Sequence, residues 1–291
     1  MKCTGRYSRL LKILFFLSSI IKINIKKRVK RSILVVSTPN ESWKKNILLA
    51  FRYTPYKIDI GSDNTRCFSD YDVIVVTSIN DLLKLEAHRK NLDHSLIPIP
   101  SPESYLICHD KGLFYQHMKK NNMSMFIPEY AKNSDYPYLL KKRIDSFGRN
   151  TLYIENESSE MEIIRNIEMK EYIKQKYISG NIEYSTHILM INSKIVYHLT
   201  VKHIFDTSKP IFGKDLPTKR ELCSTIYIDI FVKILNSIKF NGLCCIDYKV
   251  VNNRPTIFEI NPRMGGSLTP YLFIFIQKAI DFKETSKRKT K

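Results

Sequence analysis

Apolar runs alternate with helix-patterned segments in the first third of the chain. Residues 32–37 (SILVVS), 56–60 and 72–77 (DVIVVT) are short apolar runs typical of buried strands. Residues 41–52, between the first two runs, have the apolar spacing of a helix. The order strand, helix, strand, strand predicts a small parallel α/β lobe. Three further helices are predicted: 80–90, one that begins at Ser101, and 110–121.

From residue 138 onward the pattern predicts a second lobe of mixed α+β type. Residues 218–239 have helical apolar spacing and predict one long helix. Two adjacent strands, 242–251 and 255–260, predict a β-hairpin over Asn252 and Asn253. The other predicted elements are strands at 138–142, 151–154, 172–178, 183–191 and 194–203, and helices at 157–166 and 271–282.

Composition excludes several classes of protein. The chain has 291 residues, of which 43% are hydrophobic and 26% are charged, so it can bury a sizeable core and is neither disordered nor fibrous. The six cysteines form no Cys-x-x-Cys pair and the seven histidines form no His-Glu-x-x-His motif. This argues against a zinc site and against a disulfide framework. We therefore expect reduced thiols and a cytoplasmic location.

The formal charge of +19 is concentrated at the two ends of the chain. Residues 1–31 hold ten Lys or Arg and no acid, and the stretch 278–291 is also basic. Basic tails on a much less charged body favour contact with an anionic membrane surface or another polyanion over sequence-specific DNA binding. Nucleic acid is not an expected partner, because the sequence contains no nucleic-acid-binding motif.

The segment Leu10–Ile21 is apolar and follows a basic start. It resembles the first two regions of a signal peptide, but no small-residue cleavage site follows, and the run is shorter than the ~20 residues that a spanning helix needs. We predict an amphipathic helix at residues 8–23. Two interpretations stay open: the helix packs on the body of the protein, or Leu10, Phe15 and Phe16 make peripheral contact with the inner face of a membrane.

The strongest chemical signal lies on the second strand of the predicted hairpin and just beyond it. Residues 257–267 read Ile-Phe-Glu-Ile-Asn-Pro-Arg-Met-Gly-Gly-Ser. Side chains two apart on a strand share a face, so Glu259 and Asn261 should point the same way, with Arg263 close by. The result is an oxygen-rich edge beside a guanidinium group.

The register of this hairpin decides whether a second carboxylate joins the edge. With a three-residue turn, in which Val251 lies opposite Pro255, Asp247 lies across from Glu259 on the same face. Two carboxylates and an amide oxygen would then suit Mg²⁺ held jointly with nucleotide phosphates, and Arg263 could bind a phosphoryl group. The alternative is a solvated hairpin face with ordinary charges.

This arrangement, an Asp followed by Glu-x-Asn-Pro-Arg-x-Gly-Gly-Ser, resembles the ATP-grasp superfamily. The resemblance covers about residues 105–277 and implies an ATP-grasp fold, preceded by the small parallel α/β lobe. It implies ATP as cofactor together with Mg²⁺ or Mn²⁺, two ions being expected. Asp247, Glu259 and Asn261 would be the metal ligands, and Arg263 would stabilise the transferred phosphoryl group.

Further motifs resemble the nucleotide-binding landmarks of the same superfamily. Pro137 and Lys141 match the Pro-x-x-x-Lys strand, whose Lys binds phosphates. The phosphate loop that follows, 144–150, departs from the family pattern because Gly148 is its single glycine, and Lys142, Arg143 and Arg149 could supply charge in its place. The alternative for these cations is a plain basic surface. The resemblance implies adenine contacts from Gln175, Lys176, Tyr177 and Ile178, and a ribose contact from Glu183.

Two lysines complete the predicted site. Lys111, after Asp110 at the start of a helix, resembles a phosphate-binding lysine of the family, although a helix cap with an exposed Lys is an equal alternative. Lys202 lies where relatives place a basic residue toward the terminal phosphate, and we predict it as catalytic together with Arg263. The strand histidines 187, 198 and 203 are interpreted as structural hydrogen-bonding groups.

These observations predict the domain organisation. Residues 1–31 form a basic amphipathic helix and tail, 32–104 a pre-ATP-grasp α/β lobe, 105–283 the ATP-grasp domain, and 284–291 a basic tail. Within the ATP-grasp domain, 136–180 would form the nucleotide lobe and 181–277 the metal and catalytic lobe.

The resemblance implies an ATP-dependent carboxylate-amine ligase. Such an enzyme forms an acyl phosphate, captures it with an amine, and releases ADP and phosphate. The substrates would be an amino acid and a small acid or a sugar acid of a surface polysaccharide. The alternatives are an inactive ATP-binding protein with a regulatory role, suggested by the glycine-poor loop, and a membrane-peripheral assembly protein that functions through its tails. The sequence does not indicate an oligomeric state.

Overall fold

The structure, a computed structural model, describes residues 14–21, 31–36, 40–61, 67–132, 135–145, 148–211 and 214–289. Within these residues the chain forms three sheets with helices packed around them. No helix in these ranges is both long and apolar enough to cross a lipid bilayer.

The first sheet is the parallel α/β lobe that the apolar pattern predicts. Its strands lie in the order β2-β1-β3 and are all parallel. The side chains of β1 and β3 are buried on both faces, apart from half-buried Ser32, which explains the unbroken apolar runs there. The elements are β1 (Ser32–Val36), α2 (Glu41–Phe51), β2 (Lys57–Ile60), β3 (Val73–Val76) and α3 (Ile79–Glu86).

Helix α1, seen at residues 14–21, packs on the body of the protein. The ring of Phe16 lies 5.3 Å from that of Phe273, and the ring of Phe15 lies 6.4 Å from that of Tyr271, both edge-on. Of the two interpretations of this segment, packing on the body is therefore correct for Phe15 and Phe16. Leu10 and the rest of the predicted helix lie outside the described residues.

Side-chain caps fix the next two helices, α4 (Pro102–His109) and α5 (Lys111–Lys120). The hydroxyl of Ser101 accepts from the backbone N–H of Ser104, and Pro102 occupies the first turn of α4. Asp110 ends α4 and caps α5, since one of its oxygens accepts from two backbone N–H groups of the first turn. The cap therefore fixes where Lys111 begins the second helix.

The second sheet is small and antiparallel, with strand order β5-β4-β6. Tyr138 and Leu140 bury one of its faces against helix α6. Its elements are β4 (Tyr138–Lys142), β5 (Thr151–Ile154), α6 (Glu157–Ile164) and β6 (Tyr172–Lys176).

The third sheet has five antiparallel strands in the order β11-β10-β7-β8-β9. One face packs on α7 and on α5 through a cluster that includes Phe231, Tyr248 and Ile257. The elements are β7 (Ile182–Ile191), β8 (Lys194–Ile204), β9 (Lys219–Cys223), α7 (Ile228–Ser237), β10 (Gly242–Val251), β11 (Arg254–Asn261) and, after a 3-10 segment at Gly266–Tyr271, α8 (Leu272–Lys289).

The predicted long helix at 218–239 is wrong, because its first part is strand β9 and only its second part is helix α7. Strand β9 pairs with β8 from Lys219 opposite Ile204 to Cys223 opposite Thr200. The edge of β8 offers a full row of backbone partners to this segment, and that tertiary pairing overrides a local helical spacing.

The hairpin turns over Asn252 and Asn253 as predicted, but it does not have the three-residue turn on which the predicted register was conditional. Val251 pairs with Arg254, so the turn has two residues, Asn252 and Asn253, whose φ angles are +49° and +58°. Two successive left-handed residues match the twist of a hairpin, and Asn tolerates this conformation better than most residues. A bulge between Asp247 and Tyr248 restores the predicted pairing of Asp247 with Glu259.

The turn geometry predicts opposite effects for two substitutions of Asn253. Asn253→Val should lower the free energy of unfolding by about 1–2 kcal/mol, because a β-branched side chain is strained at positive φ. Asn253→Gly should leave the stability equal or slightly higher. Urea unfolding of the three proteins measures the difference, and equal stability of the Val and Gly variants would contradict a left-handed turn.

Candidate active site

A cavity of about 430 Å³ lies between the second and third sheets and extends to helix α2. Every site residue predicted from the sequence lines it, with the exception of Lys202. The residues that the structure brings together are Lys111, Lys141, Gly148, Gln175, Lys176, Tyr177, Ile178, Glu183, Asp247, Glu259, Asn261 and Arg263.

The bulge in β11 directs two sets of side chains to opposite faces of the third sheet. Ile257 and Ile260 are three residues apart, yet both are buried in the same core cluster. Strict alternation forbids this, and the extra residue at Phe258 makes it possible. Glu259 and Asn261 therefore face the cavity without removing either isoleucine from the core.

Asp247 and Glu259 converge on one point in the cavity. The side-chain amide of Asn261 donates from Nδ2 to Asp247 Oδ2 and to Glu259 Oε1, at 3.0 Å each. Two carboxylates that share one donor are both within reach of a single small cation placed at that point. The amide oxygen of Asn261 instead accepts from Arg263, so metal ligation by Asn261 requires its side chain to turn.

The two carboxyls respond differently to burial. Burial, and then the nearby charge of Glu259, raise the pKa of Asp247 above its ordinary value. Burial alone would raise the pKa of Glu259 too, but the positive charges of Lys111 and Lys141 outweigh it and lower that pKa. The shared edge therefore favours a bound cation, because a cation relieves the repulsion that raises the pKa of Asp247.

Two lysines face this carboxylate edge. Lys111, at the start of α5, is buried and places Nζ 3.4 Å from Glu259 Oε2. Lys141, on β4, lies with Nζ 5.1 Å from the centre of the Phe258 ring, and burial lowers the pKa of this lysine to about 8. Since α5 and β4 belong to different parts of the fold, the two cations meet only in the folded chain.

Arg263 is held from two sides. Its Nη1 donates to its neighbour's carbonyl, Met264 O, at 2.9 Å, and its Nη2 donates to Asn261 Oδ1 at 3.1 Å. The backbone N–H of Met264 in turn donates to Val76 O at the end of β3, at 3.2 Å. The parallel lobe therefore fixes the position of this buried guanidinium, and burial lowers the pKa of Arg263.

A buried ion pair lies at the other end of the cavity. Lys249 Nζ is 3.4 Å from Glu183 Oε1 and also donates to the backbone carbonyl of Ile178 at 2.8 Å. Burial raises the pKa of Glu183 to about 7 despite this partner. The other oxygen, Glu183 Oε2, is buried without a hydrogen-bond partner among the described residues, so it can accept from a hydroxyl group of a ligand.

A hydrogen-bond chain behind Asp247 fixes that carboxylate. The hydroxyl of Ser185 donates to Asp247 Oδ1 at 2.5 Å, and His203 Nε2 lies 3.0 Å from the same hydroxyl. Because the single Ser185 proton points to Asp247, His203 must donate through Nε2. Burial lowers the pKa of His203 to about 4, so the histidine is neutral.

The structure does not bring Lys202 into the cavity. On β8, the backbone of Lys202 pairs with Tyr184 of β7 and with Glu221 of β9. Its chain neighbours Val201 and His203 point to the other face of the sheet. Side chains alternate along a strand, so His203 faces the cavity and Lys202 does not. The structure therefore places Lys202 outside the lining of the cavity, and its catalytic role stays a prediction.

Several cavity residues were not predicted from the sequence. They are Ser185, Lys249 and Phe258, with Arg220 on the strand that was predicted as helix. Lys249 had a sequence signal, because it stands two residues after Asp247 and thus on the same face. Phe258 also had one, because the three-residue spacing of Ile257 and Ile260 indicates a bulge.

The residues present fit ATP and a divalent cation. The cavity has the size of a small-molecule site, and a buried acceptor, Glu183 Oε2, remains unpartnered at one end. The convergent carboxylates at the other end are the hard oxygen ligands that Mg²⁺ prefers. No group of three or more His, Cys, Asp or Glu is placed to hold a metal within the part of the chain that the structure describes.

The chain belongs to the ATP-grasp family, since residues 108–267 match that family's ATP-grasp domain. An uncharacterized protein of Methanocaldococcus jannaschii is 28% identical over 165 residues. That match covers 52% of this chain and 40% of the relative, so the similarity extends over less than half of the relative's length.

Solved structures show the same fold. D-alanine–D-alanine ligase from Bacillus anthracis is similar with a TM-score of 0.57 at 13% identity, over 89% of this chain and 100% of that chain. L-amino acid ligase from Bacillus licheniformis gives 0.54 at 11% identity, over 84% and 70%. N5-carboxyaminoimidazole synthetase from Staphylococcus aureus, complexed with ADP, gives 0.55 at 15% identity, over 82% and 73%. The predicted ATP-grasp fold with an added parallel lobe is thereby confirmed, while the predicted domain boundaries stay a prediction.

The buried pair of Glu183 and Lys249 predicts a non-additive double-mutant cycle. Glu183→Leu alone should lower the free energy of unfolding by about 3–5 kcal/mol, because it leaves a buried ammonium group unpaired. Adding Lys249→Met should restore much of that loss. Chemical unfolding of the two single variants and the double variant measures the coupling, and additive effects would contradict a buried, mutually dependent pair.

The position of Lys202 predicts a contrast with Lys141. Lys202→Met should change nucleotide affinity by no more than about twofold, because its side chain lies on the far face of the sheet. Lys141→Met should weaken affinity by roughly tenfold or more, because a cation that lines the cavity is lost. Calorimetric titration with ATP and Mg²⁺ measures both, and equal losses would contradict the orientation of β8.

Proposed function

We propose that this protein is an ATP-dependent ligase that joins a carboxylate to an amine. The observation that carries the proposal is the convergence of Asp247 and Glu259 on one point, with Lys111, Lys141 and Arg263 around it. Such a cluster of fixed opposite charges can neutralise a polyphosphate that gains charge during phosphoryl transfer. The proposal includes a cytoplasmic setting, in which ATP is abundant and thiols stay reduced.

The proposed nucleotide position follows from the different groups at the two ends of the cavity, a buried acceptor at one end and a cluster of charges at the other. Gln175, Lys176, Tyr177 and Ile178 would border the adenine, and Glu183 Oε2 would accept from a ribose hydroxyl. Lys141 and Lys111 would bind the phosphates, with Gly148 allowing close approach of the loop, since its φ is +62°. Four of the structural neighbours are described as complexed with ATP or ADP, which supports nucleotide binding by this fold.

The proposed metal site is the carboxylate edge. Asp247 and Glu259, joined by Asn261 once its amide turns, would hold Mg²⁺ or Mn²⁺, and two ions are expected. When bound, the ions would neutralise phosphate charge and orient the terminal phosphate. Ser185 would keep Asp247 in place, because its hydrogen bond to Oδ1 leaves Oδ2 facing the cavity.

The proposed reaction has two steps. A substrate carboxylate attacks the terminal phosphate of ATP, which forms an acyl phosphate and releases ADP. An amine then attacks the acyl carbon, which forms the amide and releases phosphate. Arg263, fixed by Met264 and Asn261, would stabilise charge on the transferred phosphoryl group in the first step and on the leaving phosphate in the second.

The proposed substrate end of the cavity is the part between helix α2 and the segment after β11. Trp43 faces Gly266 there, and a Cβ added at Gly266 would lie 2.6 Å from the indole ring. Ser267 and Tyr271 also border this end. We propose that an amino acid and a small acid, or a sugar acid of a surface polysaccharide, bind here. Structural neighbours described as D-alanine–D-alanine ligase and L-amino acid ligase support an amino acid as one substrate.

A second candidate is an ATP-binding protein without turnover, with a role in regulation or membrane-peripheral assembly. The observation that favours it is the glycine-poor loop, because Gly148 is the single glycine in residues 144–150. Backbone amides that approach phosphates closely usually need small residues. Binding of ATP without release of ADP under any pairing of acids and amines would favour this candidate.

The ligase proposal predicts ADP release that needs both an acid and an amine. Glu259→Gln and Asp247→Asn should each lower this release by roughly a hundredfold or more, because each removes a charge from the metal edge. Glu162→Gln, on the exposed surface of α6, is the matched control and should keep the native rate. The measurement is coupled ADP release with Mg²⁺ and ATP across a panel of amino acids and sugar acids.

Fluorescence of Trp43 separates binding from turnover in the same experiment. Trp43 is the single tryptophan of the chain and lines the cavity, so its emission should change when ligands bind. A fluorescence change with ATP but no ADP release across the panel would contradict the ligase and support the second candidate. Near-native release by Glu259→Gln would contradict the assignment of the metal edge.

A further inference from the structure

The described residues of helix α1, 14–21, read Leu-Phe-Phe-Leu-Ser-Ser-Ile-Ile, and the two polar side chains, Ser18 and Ser19, both donate to the backbone carbonyl of Phe15. Its outward side carries Leu14, Leu17 and Ile21, which are 52%, 49% and 54% exposed. These positions are three and four residues apart, so they form one stripe along the helix. A continuous apolar stripe on an outer helix face indicates an interaction surface.

The packing of α1 does not use this stripe. The inward side of the helix carries Phe15, Phe16 and Ile20, which join the core cluster around Phe273. The helix is therefore attached to the body by one face while its other apolar face stays open. An ordinary surface helix with this attachment has polar residues outside, so the outer leucines need a separate explanation.

The charge of the surrounding chain identifies the kind of partner. Residues 1–31 carry ten Lys or Arg and no Asp or Glu. Of these, Arg31 is bound to Asp72 at 2.8 Å. A helix with an apolar outer face and cationic flanks matches the interface of an anionic bilayer, where apolar side chains enter the acyl boundary and Lys and Arg meet the headgroups. A second copy of the chain fits less well, because the two cationic flanks would repel each other.

We propose that the outer face of α1 docks this protein on an anionic lipid surface. Leu14, Leu17 and Ile21 enter the interface, and the net positive charge of the sequence around them favours anionic headgroups. The same helix packs through Phe15 against Tyr271, which lines the substrate end of the cavity. Docking would therefore bring the end of the cavity that Tyr271 lines close to the lipid surface, because Tyr271 contacts the docked helix directly. The inference does not depend on the proposed ligase activity.

Sedimentation with vesicles tests the proposal on the full-length protein. Vesicles of phosphatidylglycerol and phosphatidylcholine should bind it, vesicles of phosphatidylcholine alone should not, and about 0.5 M salt should weaken the binding. The variant Leu14→Gln/Leu17→Gln/Ile21→Gln should lower the partition coefficient by roughly tenfold or more. Leu83→Gln/Met161→Gln/Leu216→Gln, which changes three exposed apolar residues on other parts of the surface, should bind like the native protein.

Other outcomes would overturn the proposal. Equal binding by the two triple variants would remove the role of α1, and equal binding to neutral vesicles would remove the role of the basic flanks. A concentration-dependent dimer of the native protein in sedimentation velocity, abolished by the α1 triple variant, would assign the stripe to a second copy. The thermal unfolding midpoint and the ATP-induced change in Trp43 fluorescence of the variant should stay native, which shows that α1 has not simply detached.

Discussion

The site depends on a single irregularity, the bulge at Phe258. A regular strand cannot bury Ile257 and Ile260 in one core and also turn Glu259 toward the opposite face, beside Asp247. The extra residue satisfies both requirements. Hydrophobic burial of the isoleucines thus fixes where the carboxylate edge stands, and the edge in turn determines where Lys111 and Lys141 find their negative partner.

The electrostatics of the cavity follow from burial of unlike charges in one place. Removal from water penalises each charged group, and each group depends on neighbours of opposite sign. Glu259 stays ionised because Lys111 and Lys141 lower its pKa. The pKa of Asp247 is raised instead, by burial and by the negative charge of Glu259. Buried charges of this kind lower the stability of the fold when no ligand is bound. A bound cation and polyphosphate would supply the missing partners of opposite charge.

The parallel lobe and α1 extend the site beyond the ATP-grasp domain. Val76, at the end of β3, accepts from the backbone of Met264 and so holds the segment that carries Arg263. Trp43 on α2 packs against Gly266 at the end of the cavity that Tyr271 borders. These contacts join the first lobe to the cavity, and α1 packs on the same region through Tyr271. Helix α2 of the parallel lobe is therefore part of the cavity wall.

The sequence by itself determined most of the elements and which residue types gather at the site. Apolar periodicity predicted the parallel lobe and the strands of both antiparallel sheets other than β9, and the Glu-x-Asn-Pro-Arg segment predicted the carboxylate edge, because these signals are local. Tertiary structure alone decided three matters. Strand β9 forms because the edge of β8 offers it backbone partners. Lys202 faces away because the sheet has two faces and the sequence does not say which one closes the cavity. The bulge sets the register because both faces of the hairpin must be buried at once, which is a property of the packed molecule and not of the strand.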